Sequence, residues 1–446
     1  MLFTTDKQTL EDLNIFGKHG GDSIFNIFNR CITRGGAAVL DEMFQYPLSD
    51  EQMINRRSGI IQHFAAKETV FPFENILFDA AEPYLANTDE RTRLTIEEHA
   101  VTKKLSSLIA PDADAVQLRK GVMALARLIK GLHDFIHSPE VAGMPYYKTE
   151  KAAIAALLTD PALNPVITQT GKDKLPAATM AAFDGIFRFR HRDIILKLLR
   201  HIYYLDVYIA VAKVAKERGF VFPVALQKSR LTVTLEGVYH PQVPNAVANT
   251  IGITPDGNVI FLTGANMAGK STFMKSLSIA LFLAHMGFPV PATRMEFSVL
   301  DGIYTTINLP DNLGMGASHF YAEVLRVKKM AHELSQGKNL LIVFDEMFRG
   351  TNVKDAYEAT IAITKAFATK RNSLFVISTH IIEAGEVLKQ ACDNVHFIYL
   401  PTRMNGNKPV YTYKLENGIT DDRHGMIIIN NEGILDMLRA GISKMN

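Results

Sequence analysis

The sequence predicts two unlike halves: a mainly α-helical first part with long arms, then an α/β part with a mainly parallel sheet around a P-loop. Three observations predict it. Residues 1–228 carry amphipathic stretches with almost no β-like runs, and a change of composition falls at Gly219-Phe220-Val221-Phe222-Pro223. Beyond it, continuous apolar runs such as Leu340–Phe344 and Leu374–Ser378 alternate with helical patterns, as buried parallel strands do. Between the apolar run Val259–Thr263 and a helically spaced stretch from Phe273 lies Gly264-Ala265-Asn266-Met267-Ala268-Gly269-Lys270-Ser271-Thr272, which fits G-x-x-x-x-G-K-[ST].

At 446 residues the chain exceeds one ordinary domain, and 47% apolar content supports large cores. A net charge of +2 argues neither for nor against nucleic acid, because a local patch would suffice. Cys31 and Cys392 are the two cysteines, so neither a disulfide framework nor a zinc site is expected. The N-terminus does not read as a signal peptide, and no uncharged apolar run reaches about 18 residues. A cytoplasmic protein with no membrane partner is expected.

In the first part, Ser23 is placed to cap a helix over 24–30. Another helix over Ala37–Phe44 stops before Pro47, and Ser49-Asp50-Glu51 opens the next. Residues 96–109 and 116–136 are amphipathic, the second with Leu118, Val122, Leu125, Leu128, Ile129 and Leu132 on one stripe. Five prolines between 138 and 176 predict a looped or broken-helix tip. Residues 177–218 lack proline and read as one helix, roughly 60 Å long if straight.

In the second part, the glycines of the loop let several backbone N–H groups converge on an anion, and the following helix points its positive end there. Lys270 would add charge on the outer phosphates, and Ser271 a hydroxyl for Mg²⁺. Asp345-Glu346 closes a five-residue apolar run; Asp345 would hold the metal beside Ser271, and Glu346 would position or deprotonate the attacking water. Alone, such a pair also reads as a solvated turn. His380 ends the run 374–379, where an imidazole can report a γ-phosphate; alone, a histidine is more often structural. Ser318, in Gly316-Ala317-Ser318, reads either as an ordinary N-cap or as a second anion site that completes a partner subunit's pocket.

These motifs resemble the MutS family of DNA mismatch-repair ATPases. T-G-P-N-M-G-G-K-S-T of that family corresponds to Thr263–Thr272, D-E-x-x-R-G-T to Asp345–Thr351, A-T-H-x-x-E to Ser378–Glu383, and G-R-S-T-F-x-x-E to Gly316–Glu323. More weakly, His240-Pro241, Tyr413-Lys414-Leu415 with Arg423-His424-Gly425, Thr33–Leu40 and Leu205-Asp206-Val207 are similar to other family stretches. The resemblance implies an α-helical core/lever domain over 1–228, then an α/β P-loop (ABC-type) ATPase domain over 229–446 with a C-terminal helical dimerisation segment. It also implies a homodimer with composite sites for ATP and Mg²⁺. Glu346, His380 and Lys270 would act in catalysis, Ser318 would reach the partner's γ-phosphate, and Val247 and Tyr413 are candidates for the adenine pocket.

DNA and other repair proteins are the partners the resemblance implies. Two departures stand against mismatch reading. No G-x-F-x-E motif is present, and residues 138–176 are too short and proline-rich for a β-rich clamp. Arg188, Arg190, Arg192 and Lys197 are the candidate DNA contacts, and they read equally as a solvated helix face. The alternative function is an ATP-switched module acting on a protein or ribonucleoprotein.

Overall fold

The computed structural model describes residues 3–17, 21–94, 113–169, 175–307, 319–406, 408–420, 433–434 and 437–438. It divides into two compact units. One comprises Phe28–Met43 and Gly59–Glu217; the other Met1–Ile27, Phe44–Ser58 and Arg218–Asn446. The division is therefore interleaved rather than a single cut at residue 228. The first 27 residues belong with the sheet-bearing unit because they hydrogen-bond to it: Thr4 N donates to Asp301 O at 2.8 Å and Thr305 Oγ1 to Asp12 at 2.7 Å.

The helical unit is built on amphipathic helices. In helix Ala113–Ile136 the predicted stripe is buried from Val122 to Leu132, with only Leu118 half-buried, and the helix packs against Asn75–Ala86. Asp206, near the middle of helix Arg192–Arg218, is itself buried and accepts bonds from Ile32 N, Thr33 N and Thr33 Oγ1 at 3.1, 2.8 and 2.7 Å. It thereby fixes the residues that enter helix Arg34–Gln45, where Thr33 Oγ1 accepts from the first-turn Gly36 N at 2.8 Å. Residues 138–176 form short helices and 3₁₀ turns started at Pro145 and Pro161, and no strand occurs among the described residues there.

The single long helix expected over 177–218 is instead broken. Helix Ala177–Asp184 passes into a π-helical segment, Gly185–Arg190, and His191 (φ −125°, ψ 25°) separates it from Arg192–Arg218. The cause is a buried ion pair. Arg188 Nε lies 2.6 Å from Asp184 Oδ1, and the guanidinium also donates to Thr92 Oγ1 at 2.8 Å and Thr92 O at 3.0 Å. The wider π turn, closed by His191 N to Ile186 O at 2.9 Å, accommodates this inward-facing arginine.

The other unit holds twelve strands among the described residues: β1 (Val224–Leu226), β2 (Val233–Val238), β3 (Asn249–Ile253), β4 (Val259–Gly264), β5 (Arg294–Ser298), β6 (Gly302–Thr306), β7 (Leu340–Asp345), β8 (Leu374–Ser378), β9 (Val395–Leu400), β10 (Thr402–Asn405), β11 (Lys408–Tyr411) and β12 (Glu416–Asn417). A six-stranded sheet runs β12-β9-β4-β8-β7-β6; its members are parallel except β12, which pairs antiparallel at one edge. A mixed four-stranded sheet runs β1-β5-β2-β3. The central strands are buried on both faces, hence their unbroken apolar sequences. Ile342, Phe344 and Phe375 share a core with Met330 and Leu334 of helix His319–Ser335 and Phe367 of helix Val353–Ala368. Phe367 stacks on Phe375 at 4.6 Å between ring centroids.

Candidate functional site

The parallel order brings three separate sequence signals to one place. β4 ends in the phosphate loop, β7 in Asp345-Glu346, and β8, lying between them, in Ser378 before Thr379 and His380. Ligands of open α/β sheets bind at such carboxyl ends. Gly264 (φ 145°) and Gly269 (φ 103°) hold left-handed backbone that other residues resist, and helix Lys270–His285 starts directly after. Met267 (φ 69°) and Glu346 (φ 54°) share that strained region without being glycine, as residues at functional sites do.

The side chains are paired among themselves. Lys270, buried, donates from Nζ to Gly264 O at 2.8 Å and Ala265 O at 3.2 Å. Burial lowers its pKa, offset by the charges of Asp345 and Glu346. Ser271 Oγ donates to Asp345 Oδ2 at 2.5 Å, while Asp345 Oδ1 is buried without a partner. Glu346 Oε1 lies 2.8 Å from His380 Nε2, and Oε2 lies 3.3 Å from Arg349 Nη1. The bond to His380 outweighs partial burial and, with Arg349, holds the Glu346 carboxyl down to about 2.

A cavity of about 540 Å³ opens beside the loop. Ala265, Asn266, Met267, Gly269, Lys270, Ser271, Thr272, Asp345, Glu346, Val247 and Tyr413 all line it. Gly264 and the buried Ala268 are not among the residues that line it. Among groups the sequence reading did not assign to the site, His240 and Asn249 are in the wall and Arg349 holds Glu346. Burial, with Lys275 nearby, pushes His240 down to about 4, so it stands as a neutral imidazole. Asn249 accepts from Leu415 N at 2.8 Å and donates to Tyr413 O at 2.9 Å, fixing the segment that presents Tyr413. His240-Pro241 and the arginine of Asp345–Thr351 were visible as motif residues, but nothing in their spacing marked them as wall or clamp.

Two expectations fall elsewhere. Ser318 and the greater part of the C-terminal dimerisation segment lie outside the described residues. Arg188 is corrected as a DNA contact: it is 1% exposed, and its donors are taken by Asp184, Thr92 and Asn87. Arg190 and Lys197 are exposed in the helical unit, and Arg192 is half-buried with Nη2 donating to Leu85 O at 3.4 Å. No helix among the described residues is long and apolar enough to cross a membrane.

A mainly parallel α/β sheet with a glycine-bearing loop, an acidic pair and a histidine at neighbouring strand ends makes this an α/β protein with a candidate site at the carboxyl ends of its strands. Comparison with known sequences then names the family. The profile of MutS domain III matches residues 8–212 and that of MutS domain V matches residues 260–438; the chain is a MutS-like protein. It is 29% identical over 276 residues to the DNA mismatch repair protein MutS of Chlamydia muridarum (strain MoPn / Nigg), covering 59% of this chain and 33% of that protein. The corresponding proteins of Chlamydia trachomatis serovars L2b and D are 27% identical over the same length and coverage. The matched region thus spans a third of the length of these relatives.

Proposed function

We propose that this chain binds and hydrolyses ATP in an ABC-type P-loop domain, works as a homodimer with composite sites, and acts on DNA as an ATP-gated clamp. The observation that carries the reading is the convergence of Lys270, Ser271, Asp345 and Glu346 on one cavity, with His380, from the strand end between theirs, 2.8 Å from Glu346. The loop and the N-terminus of helix Lys270–His285 would cradle the phosphates, with Lys270 exchanging the carbonyls of Gly264 and Ala265 for phosphate oxygens.

The residues present fit a divalent cation. Asp345 has one buried oxygen without a partner and one on the Ser271 hydroxyl, the donor set that would hold Mg²⁺. When bound, the ion neutralises charge on the phosphates. Glu346 orients the attacking water. With its carboxyl held at about 2 by His380 it is a poor proton acceptor, so full function needs His380 to turn towards the γ-phosphate. That exchange couples presence of the third phosphate to the freeing of the base.

The testing experiment is ATP turnover measured with homoduplex, mismatched, branched and single-stranded DNA at low and moderate salt. Stimulation by one structure supports the clamp; intact basal turnover unmoved by any of them rejects it. A second reading, an ATP-switched module acting on a protein or ribonucleoprotein, is favoured by one observation: burial of Arg188 removes a cation from the expected phosphate-binding face.

A further inference from the structure

The N-terminal segment, residues 3–12, is tied to two elements that adjoin the site. Thr4 pairs as a parallel bridge with Gly302 on β6, the outermost strand of the six-stranded sheet, with Ile303 N donating to Thr4 O at 3.0 Å. It covers an otherwise open strand edge. Helix Lys7–Asp12 follows, capped by Asp6, whose Oδ1 accepts from Thr9 N at 3.0 Å. From this short helix, Thr9 Oγ1 accepts from Thr305 N at 3.0 Å, and Asp12 Oδ2 accepts from Thr305 Oγ1 at 2.7 Å and Ile307 N at 2.9 Å. The end of β6 thus has its last donors satisfied by N-terminal side chains, and Asp12 and Thr9 are buried in doing so.

The same segment grips helix His319–Ser335. Asp6 Oδ2 pairs closely with Arg326 and accepts from Lys329 Nζ at 2.6 Å, while Arg326 also donates to Thr305 O at 2.5 Å. Asp6 and Arg326 are each mostly shielded from solvent. Three side chains within seven residues therefore hold the end of β6 and the body of the following helix to one another, beside β7, the strand that delivers Asp345 and Glu346.

We propose that residues 3–12 are a brace and that Asp6, with Thr9 and Asp12, is a positioning residue for ATP turnover rather than for ATP binding. None of the three lines the nucleotide cavity. The inference rests on the ATPase reading above. Its mechanism is geometric: the brace fixes helix His319–Ser335 against β6, and loosening it leaves the phosphate loop intact while the elements that flank residues 308–318 lose their common anchor.

The test uses Asp6→Asn in the full chain. Asparagine caps a helix as well as aspartate does, so the variant keeps the cap on Thr9 N and removes the negative charge that pairs with Arg326 and Lys329. Lys329→Gln, at a largely exposed position, is the milder second variant should Asp6→Asn fold poorly. ATP affinity is expected to stay within about twofold of wild type. Turnover at saturating ATP is expected to fall at least about fivefold in Asp6→Asn and by less in Lys329→Gln. Amide exchange at Ile307 and along 319–335 should rise in step. Turnover within about twofold of wild type in both variants overturns the brace, as does a loss of ATP affinity equal to the loss of turnover. A wild-type chain without ATP turnover would sink the ATPase reading instead. The brace is then judged on exchange alone, and unchanged exchange at Ile307 and 319–335 in Asp6→Asn overturns it.

Discussion

His380 Nε2 lies 2.8 Å from Glu346 Oε1, so the histidine at the end of β8 and the second acid at the end of β7 are partners across the sheet. In this arrangement the carboxylate is fully ionised throughout the neutral range, held near 2. Glu346→Gln removes the acceptor while keeping the shape. It is expected to bind ATP normally, to turn over about a hundredfold or more slower, and to accumulate as closed dimers with ATP. Single-turnover hydrolysis and light scattering check both parts; wild-type turnover in the variant would remove Glu346 from the chemistry. With His380 on Glu346 in the free enzyme, Glu346 should contribute no limb above about pH 3 to the pH profile of kcat/KM, which reports the free enzyme.

Lys270 tests the phosphate loop itself. Its ammonium is buried against the loop carbonyls, with its desolvation partly offset by Asp345 and Glu346, and a bound polyphosphate would add a direct counter-charge. Lys270→Ala is expected to weaken ATP binding by about a hundredfold or more, equivalent to about 3 kcal/mol. Calorimetric titration with ATP decides it, and retained affinity would refute the phosphate-loop assignment.

The trans arrangement makes a separate prediction. If Ser318 serves the partner's nucleotide, a Ser318→Ala subunit mixed with a Lys270→Ala subunit forms dimers with at most one working site. Each variant alone should be inactive, while the mixture should recover turnover up to one working site per mixed dimer. No recovery in the mixture would rule out a shared site.

Why some of this was readable in the sequence and some was not is a matter of range. Lys270, Asp345, Glu346 and His380 each sit at the end of an apolar strand, and the pattern of strand, loop and helix is local, so the residues announced themselves. Asp6, Thr9 and Asp12 lie about 300 positions from their partners, with 297 separating Thr4 from Asp301, and a six-residue helix carries no sign of what it docks on. Reading that segment into the helical half was therefore a failure of locality. Arg188 misled for a different reason: arginine at helical spacing normally faces water, and only Asp184 four residues back, enclosed by Tyr84 and Thr92, turns it inward. The π turn that permits this has no signature in composition.

Arg188 consequently predicts a stability effect where a nucleic-acid contact was expected. Arg188→Ala leaves Asp184 buried beside Tyr84 without its cation, at a cost of about 3–5 kcal/mol. Exposed Lys197→Ala should stay within about 0.5 kcal/mol and, if the helix face meets DNA, reduce the salt slope of binding by about one. Urea midpoints of the two variants discriminate: an unaffected Arg188→Ala midpoint would contradict the buried pair.

His285 sets the acid limit of the same fold. It is fully buried, with Nδ1–H donating to Leu281 O at 2.7 Å and Nε2 accepting from Leu300 N at 2.9 Å, and Lys228 and Asp301 are the charges near it. Both ring nitrogens are thus committed to the neutral tautomer, and burial pushes the imidazole down to about 4. The sign follows from proton binding. Above about pH 6.5 the ring is neutral folded or unfolded and stability does not depend on it; between about 6.5 and 4 only the unfolded chain takes the proton. Stability should therefore fall as pH drops through that window, by roughly 3 kcal/mol for this group alone. His240, also pushed down to about 4, adds a contribution of the same sign. His285→Gln is expected to be less stable at pH 7.5 yet to lose less on acidification, the remainder coming from His240 and His201, whose pKa values burial also lowers. Denaturant midpoints between about pH 7.5 and 4.5 measure it, a range that stays above the carboxylates held near 2. An acid slope in the variant as steep as in the wild type would show that His285 is protonated in the fold, contrary to its two hydrogen bonds.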